Sequence, residues 1–210
     1  MKVLLINGSP HREGCTYTAL MEVAKELEAE GVETEIFHIG VKPVSGCLSC
    51  GSCAKSGSGK CAVSADSVNG FLEKARNADG FVFGSPVHFA SAASALAAFM
   101  DRAFYVGRNT VFPYKPAAAV LSCRRGGASA SFDQLNKYFT ISQMPVVSSR
   151  YWNMVHGNTP DEVARDLEGM QVMRYIGKNM AWLLKSIEAG KAVGIQKPGQ
   201  EPQVRTNFIR

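Results

Sequence analysis

Residues 2–16 read KVLLINGSPHREGCT. The apolar residues at the start of this segment run together until Gly8, which predicts a strand buried on both faces, as in parallel sheets. The residues after the strand are small or carry hydroxyl groups, and they lead into a helix in which Leu20, Val23 and Leu27 recur at helical spacing,. A buried strand, a glycine turn and a helix in this order form the start of a βαβ unit and predict a parallel sheet.

The same alternation continues along the chain and predicts five strands and five helices. The predicted strands cover residues 2–7, 32–40, 80–84, 115–123 and 144–149. The second strand alternates charged with apolar residues and suits a sheet edge, whereas the first, third and fourth are apolar. We therefore expect an α/β fold of the flavodoxin-like, doubly wound class, with five parallel strands in the order 2-1-3-4-5 and helices on both faces.

The chain of 210 residues predicts one domain with two additions,. The domain covers residues 1–190 and ends with a long helix from Pro160 to Gly190, where a capping box announces the first turn. Residues 41–63 lack periodicity and form a cysteine-rich insert. Residues 191–210 are rich in Gly, Pro and Gln and predict an extended tail on the surface or on a partner subunit.

Composition limits the classes of function. Hydrophobic residues make up 46% and charged residues 20% of the chain, as in soluble globular proteins,. No apolar run is long enough to span a membrane, and the N-terminus becomes polar too soon for a signal peptide. The net charge of +5 is scattered, so nucleic acid is not an expected partner,. We expect a cytoplasmic protein, in which clustered cysteines bind metal or exchange electrons more often than they form structural disulfides.

The loop GSPHREGCT after the first strand is a candidate phosphate site. The N–H groups at a helix N-terminus favour an anion. Ser9 and Thr16 add hydroxyl groups, and His11 and Arg12 add positive charge. The loop matches neither G-x-G-x-x-G nor the Walker pattern, and an ordinary capped turn is the alternative interpretation.

Two further loops follow the third and fourth strands and meet the first at the carboxyl edge of the sheet. In GSPVHFASAAS, Pro86 stiffens the turn, small residues let a flat ring approach, and Val87 and Phe89 offer apolar contacts. In LSCRRGGASA, Gly126 lets backbone N–H groups point at a ligand, and Arg124 can contact an anionic group. The alternatives are a plain strand-to-helix connection and a solvated pair of arginines.

Together the three loops resemble the flavin-binding regions of the flavodoxin-like NADPH-dependent FMN reductase family. The resemblance covers residue 1 to about residue 185 and is carried by GSPHREGCTYTAL, ADGFVFGSPVHFASAASALAAFMDR and LSCRRGGASASFDQLNKYFTISQMPVVSSRYWNMVHG. Family loops typically have arginine where His11 stands, asparagine where Cys15 stands and tyrosine where His88 stands. The resemblance implies an FMN site with Ser9, His11, Arg12, Cys15 and Thr16 at the phosphate, and Ser85, Pro86, Val87, His88, Phe89, Cys123, Arg124 and Gly126 at the isoalloxazine ring.

By this resemblance the chain is an FMN-binding oxidoreductase of the NAD(P)H-dependent FMN or quinone reductase type. NAD(P)H would be the electron donor, and a small molecule or a protein would be the acceptor. The chemistry needs no side chain as nucleophile or general base, so no catalytic residue is assigned. Family members are commonly homodimers or homotetramers. Two other classes stay open: a flavodoxin-like electron carrier without substrate turnover, and a zinc-stabilised binding module that is not an enzyme.

Four of the six cysteines, Cys47, Cys50, Cys53 and Cys61, have the spacing C-x2-C-x2-C-x7-C and define the four-cysteine site. The insert that holds them follows the second strand, so we expect their thiols on the flavin side of the sheet. The spacing leaves four states open: an iron–sulfur cluster, zinc, a redox disulfide and an empty reduced site. The resemblance extends to the iron–sulfur flavoproteins, a branch of the reductase family with a compact C-x2-C-x2-C-x4–7-C motif. It implies a [4Fe–4S] cluster at this site.

Overall fold

The computed structural model describes residues 1–199, 201–202, 204 and 206–208. Within them the chain forms the strands β1 (Lys2–Asn7), β2 (Glu33–His38), β3 (Gly80–His88), β4 (Ser91–Ala92), β5 (Ala117–Cys123) and β6 (Met154–His156). The helices are α1 (Cys15–Ala29), α2 (Ser52–Ser56), α3 (Val68–Arg76), α4 (Ser94–Gly107), α5 (Ala128–Ile141), α6 (Pro160–Arg165) and α7 (Leu167–Ala192). The predicted tail falls partly on positions outside the described residues, and its described part beyond Ala192 is neither helix nor strand.

Five strands form a parallel sheet in the order β2-β1-β3-β5-β6. The sixth strand, β4, pairs antiparallel with the end of β3 and lies off this path. When β4 is set aside, the observed order is the predicted 2-1-3-4-5. The predicted fold class is therefore confirmed.

Helices cover both faces of the sheet, and each face has its own core. One core, rich in phenylalanine, joins the sheet to α3, α4 and α5, and the other joins it to α1 and α7. Successive side chains of β1 enter opposite cores: Leu4 and Ile6 enter the first, and Val3 and Leu5 the second,. Burying each of these side chains contributes about 1.5–3 kcal/mol, which is why this strand is apolar throughout.

The prediction of the fifth strand at residues 144–149 is wrong. Only a single bridge, between Val146 and Ala117, joins that segment to the sheet. The edge strand is β6, which pairs with the last residues of β5. Two hydrogen bonds make this bridge, from Ala117 N to Pro145 O at 2.9 Å and from Val147 N to Ala117 O at 2.8 Å, and the pairing does not continue beyond them.

The predicted long helix is two helices, α6 and α7, separated by Asp166. Thr159 caps α6 as predicted, because its side-chain oxygen accepts a hydrogen bond from Glu162 N. Asp166 has a non-helical ψ of 79°. Its carboxylate accepts from Gly169 N at 2.9 Å, which caps α7, and from His156 N at 2.7 Å, which ties β6 to the start of that helix. The break therefore comes from a second N-cap inside the periodic pattern.

The cysteine-rich insert at residues 41–63 is irregular, as expected, apart from the short helix α2. Among the described residues, no helix combines the length and apolar character that crossing a bilayer requires.

Candidate functional site

Three loops meet at the carboxyl edge of the sheet: loop 1 (residues 8–14), loop 2 (residues 85–93) and loop 3 (residues 124–127). They meet because β1, β3 and β5 are adjacent and parallel. Gly8 N donates to Gly84 O at 2.9 Å, which joins loop 1 to the strand that carries loop 2. The sequence-predicted residues of all three loops are thus brought to one place.

Loop 1 is held in place by hydrogen bonds within the loop and with side chains at the ends of β1 and β2. Asn7 accepts from Ser9 N and donates to Arg12 O, both at 3.0 Å. Ser9 Oγ accepts from His11 N at 3.1 Å. His38 Nε2 donates to Ser9 O at 2.8 Å. Sequence reasoning missed Asn7 and His38, although both are polar residues at the ends of their strands and they pair in register.

Loop 1 leads into α1, whose first turn is open to an anion. Among the described residues no side chain caps this helix, and no acidic residue lies in its first turn. The N–H groups of the first turn have no partner within a helix, so they are free for a ligand. Thr16 is buried, and its hydroxyl lies 2.8 Å from Ser122 Oγ of β5. His11 and Arg12 are exposed beside this helix end.

Loop 2 is a β-hairpin, which the sequence interpretation did not include. β3 continues beyond the sheet edge to His88 and pairs with β4. The turn residues Phe89 and Ala90 both have left-handed backbones, with φ of 50° and 58°, as a two-residue hairpin turn of type I′ requires. The side chain of Phe89 is fully exposed at the tip. Ser85 Oγ accepts from Ala93 N at 2.9 Å and fixes the base of the hairpin.

Loop 3 contacts the hairpin at Gly127. This glycine has φ of 95°, and a Cβ atom on it would lie 2.5 Å from Ala90 Cα. Only glycine fits there, because the backbone conformation is left-handed and the neighbouring atom belongs to the main chain. Arg124 and Gly126 are exposed at the same edge. The close approach shows that loops 2 and 3 touch at this point.

Two cysteines near these loops are packing residues. Burial raises the pKa of the Cys123 thiol, and it also raises the pKa of the Cys15 thiol, which is less deeply buried. Cys15 Sγ lies 3.9 Å from Gly157 O, on the chain that follows β6. A raised pKa reduces the thiolate fraction at neutral pH, so neither group has the character of a reactive thiol.

The four-cysteine site lies against α4. All four cysteines line one small cavity, together with Arg102, Tyr105 and Val106 of that helix. Arg102 Nε donates to Cys61 Sγ at 3.3 Å. Within the described part of the chain, no three His, Cys, Asp or Glu side chains gather closely enough to hold one metal ion. Sequence reasoning missed Arg102, although it follows Phe99 at helical spacing on an apolar face.

The α4 residues that line the cavity locate this site relative to the edge of the sheet. The insert leaves the sheet at the carboxyl edge, as expected, but the cavity lies along the third and fourth turns of α4. At 1.5 Å per residue, Arg102 and Val106 are about 12 Å and about 18 Å along the axis from Ser94, where α4 leaves loop 2. The α4 residues that line the cavity therefore lie below the edge, on the face of the sheet that α3 and α4 cover.

The environment of the Cys50 thiol differs from those of Cys15 and Cys123. It is exposed, and hydrogen bonds from the hydroxyl and backbone of Ser52 lower its pKa. We expect iodoacetamide to alkylate Cys50 about tenfold or more faster than Cys123 in metal-free, reduced protein at neutral pH, because the thiolate is the nucleophile. Peptide mass spectrometry over a time course measures both rates in one sample. Equal rates would contradict the described environments of these thiols.

A family model described as NADPH-dependent FMN reductase matches residues 1–159. The chain belongs to this family. An iron-sulfur flavoprotein of Methanocaldococcus jannaschii is 32% identical over 195 residues, which cover 90% of this chain and 100% of that protein. Both the family and the branch named from the sequence are therefore confirmed.

Solved structures similar to this FMN reductase family member confirm the flavodoxin-like fold. A structure of RosB with the bound intermediate 8-demethyl-8-formylriboflavin-5'-phosphate has a TM-score of 0.70 at 17% identity and covers 100% of this chain and 92% of that one. A flavodoxin from the domain Archaea has a TM-score of 0.57 at 14% identity, with 88% of this chain and 99% of that one covered.

Proposed function

We propose that this protein is an FMN-dependent oxidoreductase that accepts electrons from NAD(P)H. The observation that carries the proposal is the meeting of loops 1, 2 and 3 around the open N-terminus of α1. Membership of the NADPH-dependent FMN reductase family supports it. When bound, FMN supplies the redox chemistry, accepting hydride at N5 and releasing electrons singly or in pairs.

Loop 1 binds the FMN phosphate in this proposal. The free N–H groups at the start of α1 and the helix dipole attract the dianion. The Asn7 and His38 hydrogen bonds hold the loop in place before the ligand arrives. The other proposed contacts are side chains of the loop and the first turn: Ser9, His11, Arg12, Cys15 and Thr16.

Loops 2 and 3 hold the isoalloxazine ring. Gly127 keeps the two loops in contact and so sets the width of the slot. Loop 3 brings the exposed cation Arg124 to this edge, where it stabilises the negative charge that reduction places on the ring,. The proposed ring contacts are Ser85, Pro86, Val87, His88, Phe89, Cys123, Arg124 and Gly126. These residues position and stabilise, and none acts as an acid, a base or a nucleophile.

We further propose that the four-cysteine site holds a [4Fe–4S] cluster. Its donor set is four thiols on a single cavity, which suits iron–sulfur ligation,. Metal binding requires thiolates, and the lowered pKa of Cys50 favours that form,. Structural zinc sites usually pair one C-x2-C with a second, distant pair, whereas three of these four cysteines follow one another at x2 spacing,. When bound, the cluster supplies one-electron transfer.

A comparison of FMN with riboflavin tests the proposed flavin site, because the two ligands differ only in the phosphate. We expect FMN to bind at least about 100-fold more tightly, a difference of about 2.7 kcal/mol, which the helix N-terminus and its flanking groups supply. Titration of flavin-free protein, followed by quenching of flavin fluorescence, gives both dissociation constants.

The variant Ser9→Ala is expected to reduce the difference in affinity between FMN and riboflavin. Its matched control, Ser64→Ala, removes an exposed hydroxyl just after the cysteine-rich insert and should leave the ratio of the two dissociation constants unchanged. Equal affinities for FMN and riboflavin in the unmodified protein would exclude loop 1 as a phosphate site. No binding of either flavin would exclude the proposed function.

A flavodoxin-like electron carrier is the second candidate, and the similarity to the archaeal flavodoxin favours it. A carrier binds FMN equally well but does not turn over NAD(P)H. Steady-state oxidation of NADPH and NADH with an added quinone or ferricyanide separates the two candidates. Sustained turnover supports the reductase, and its absence in FMN-loaded protein supports the carrier.

A further inference from the structure

A charged side chain, that of Arg102, is almost completely buried beside the four-cysteine site. The side chain of Arg102 is 1% exposed, and that of its ion-pair partner Asp66 is 6% exposed. Buried charges are costly unless they are paired and fully hydrogen-bonded. Both buried charges therefore need hydrogen-bond partners, and these partners lie outside the three loops.

The partners of Arg102 all lie in the segment of residues 45–66. The guanidinium donates from Nη1 to Ser45 O and to the carboxylate of Asp66, and from Nη2 to Val63 O. It donates from Nε to Cys61 Sγ at 3.3 Å. Four donors in one rigid plane thus grip both ends of the cysteine segment, which a lysine ammonium cannot do.

Cys61 is the cysteine that most needs positioning. It is separated from Cys53 by a stretch in which Gly57 and Gly59 both have left-handed backbones. The side chain of Asn69 holds the Cys61 backbone, accepting from its N–H at 2.8 Å and donating to its carbonyl at 2.9 Å. The hydrogen bond from Arg102 Nε holds the sulfur atom as well, so both the backbone and the thiol of Cys61 are fixed.

We propose that Arg102 is a positioning residue of the four-cysteine site, which aims Cys61 Sγ into the shared cavity and raises the reduction potential of the bound cluster. The inference rests on the cluster of the proposed function. Hydrogen bonds to ligand sulfurs stabilise the more negative, reduced state of an iron–sulfur centre. Asp66 balances the charge of the guanidinium, so the N–H···S bond is the dominant influence.

The test uses a double variant, Arg102→Gln with Asp66→Asn. It removes both charges together and so avoids leaving one of them buried without a partner. The matched control is Arg76→Gln, which removes the hydrogen bond from Arg76 Nη2 to Gly59 O at 2.7 Å in the same segment but touches no sulfur. Each protein is reconstituted anaerobically with iron and sulfide, and the midpoint potential of the cluster is measured by redox titration.

We expect the double variant to keep its cluster and to show an equilibrium constant for one-electron reduction about tenfold lower, a shift of about 59 mV to more negative potential. The control should titrate like the unmodified protein. Equal potentials in all three proteins would overturn the inference while leaving the cluster proposal intact. If the unmodified protein takes up no iron, the cluster proposal fails and the inference falls with it.

If only the double variant loses its cluster, the cause is found by measuring hydrogen exchange of residues 41–63 in metal-free protein. Exchange equal to that of the unmodified protein would mean that the segment is folded and that Arg102 positions the sulfur, which supports the inference. Faster exchange throughout the segment would mean that Arg102 is only a brace for the backbone, which overturns it.

Discussion

Replacing Gly127 with alanine is expected to weaken FMN binding about 30-fold. The new Cβ atom would lie 2.5 Å from Ala90 Cα and 3.0 Å from Val87 Cγ1, and the residue would have to keep φ of 95°. Overpacking of this kind costs about 1–3 kcal/mol. In the free protein the loops separate and relieve this strain, and closing them on the ring restores about 2 kcal/mol of it, which corresponds to the stated change in affinity. Loops 2 and 3 must separate to relieve the contact, and the proposed slot for the ring widens.

The measurement is an FMN titration of flavin-free protein, with urea unfolding of the same samples to confirm that the fold persists. Gly70→Ala is the matched control, because a Cβ atom on this helical glycine meets nothing within 4 Å. The control should bind FMN with unchanged affinity. Unchanged affinity in Gly127→Ala as well would mean that the ring does not lie between loops 2 and 3.

Replacing Cys53 and Cys61 together with serine is expected to abolish iron and sulfide binding and to leave FMN binding unchanged. The two substitutions remove one thiol from the close-spaced group and the distant fourth thiol. Serine does not supply the thiolate that an iron–sulfur cluster requires. FMN should remain because the α4 residues that line the cavity, Arg102 to Val106, stand about 12–18 Å along the helix axis from Ser94 at the end of loop 2,.

Anaerobic purification followed by iron, acid-labile sulfide, zinc and FMN assays measures this result. The unmodified protein and the control Ser64→Ala should contain iron and sulfide in equal amounts. Zinc without sulfide in the unmodified protein would exclude the cluster and favour a zinc site. Loss of FMN together with iron in the double variant would contradict the separation of the two sites.

The sequence was sufficient for the sheet because its central strands carry an unambiguous signal. Residues 2–7 and 117–123 are apolar on both faces, and such strands have no place except inside a parallel sheet,. Charge alternation placed β2 at the edge, and the handedness of crossovers then left few orders of strands. Local pattern and long-range topology agree in this part of the chain.

Elements whose limits depend on distant partners could not be predicted. The last predicted helix is broken because Asp166 bonds with His156 N of β6 as well as with its own helix. The edge strand lies at β6 rather than at residues 144–149, which join the sheet only through the bridge between Val146 and Ala117. At the break between α6 and α7 a single hydrogen-bonding residue, Asp166, sets a boundary that the apolar periodicity does not show.

In the candidate site, too, some features could be predicted from the sequence and others could not. The three loops were found because glycine, proline and hydroxyl residues after buried strands have few other uses. The hairpin in loop 2 was missed because its turn, Phe89 and Ala90, contains none of the residues that usually mark a left-handed turn,. Arg102 resembles a surface arginine until its partner Asp66 is known, 36 positions away.

The most direct test of the proposed function is the anaerobic rapid mixing of FMN-loaded protein with NADPH, and separately with NADH, while the flavin absorbance is followed. We expect the bound flavin to bleach at least about 100-fold faster than free FMN at the same nucleotide concentration, because a reductase holds the donor and the flavin in reacting geometry. Bleaching of the bound flavin at the rate of free FMN, with either nucleotide, would contradict a reductase and leave the protein as a carrier.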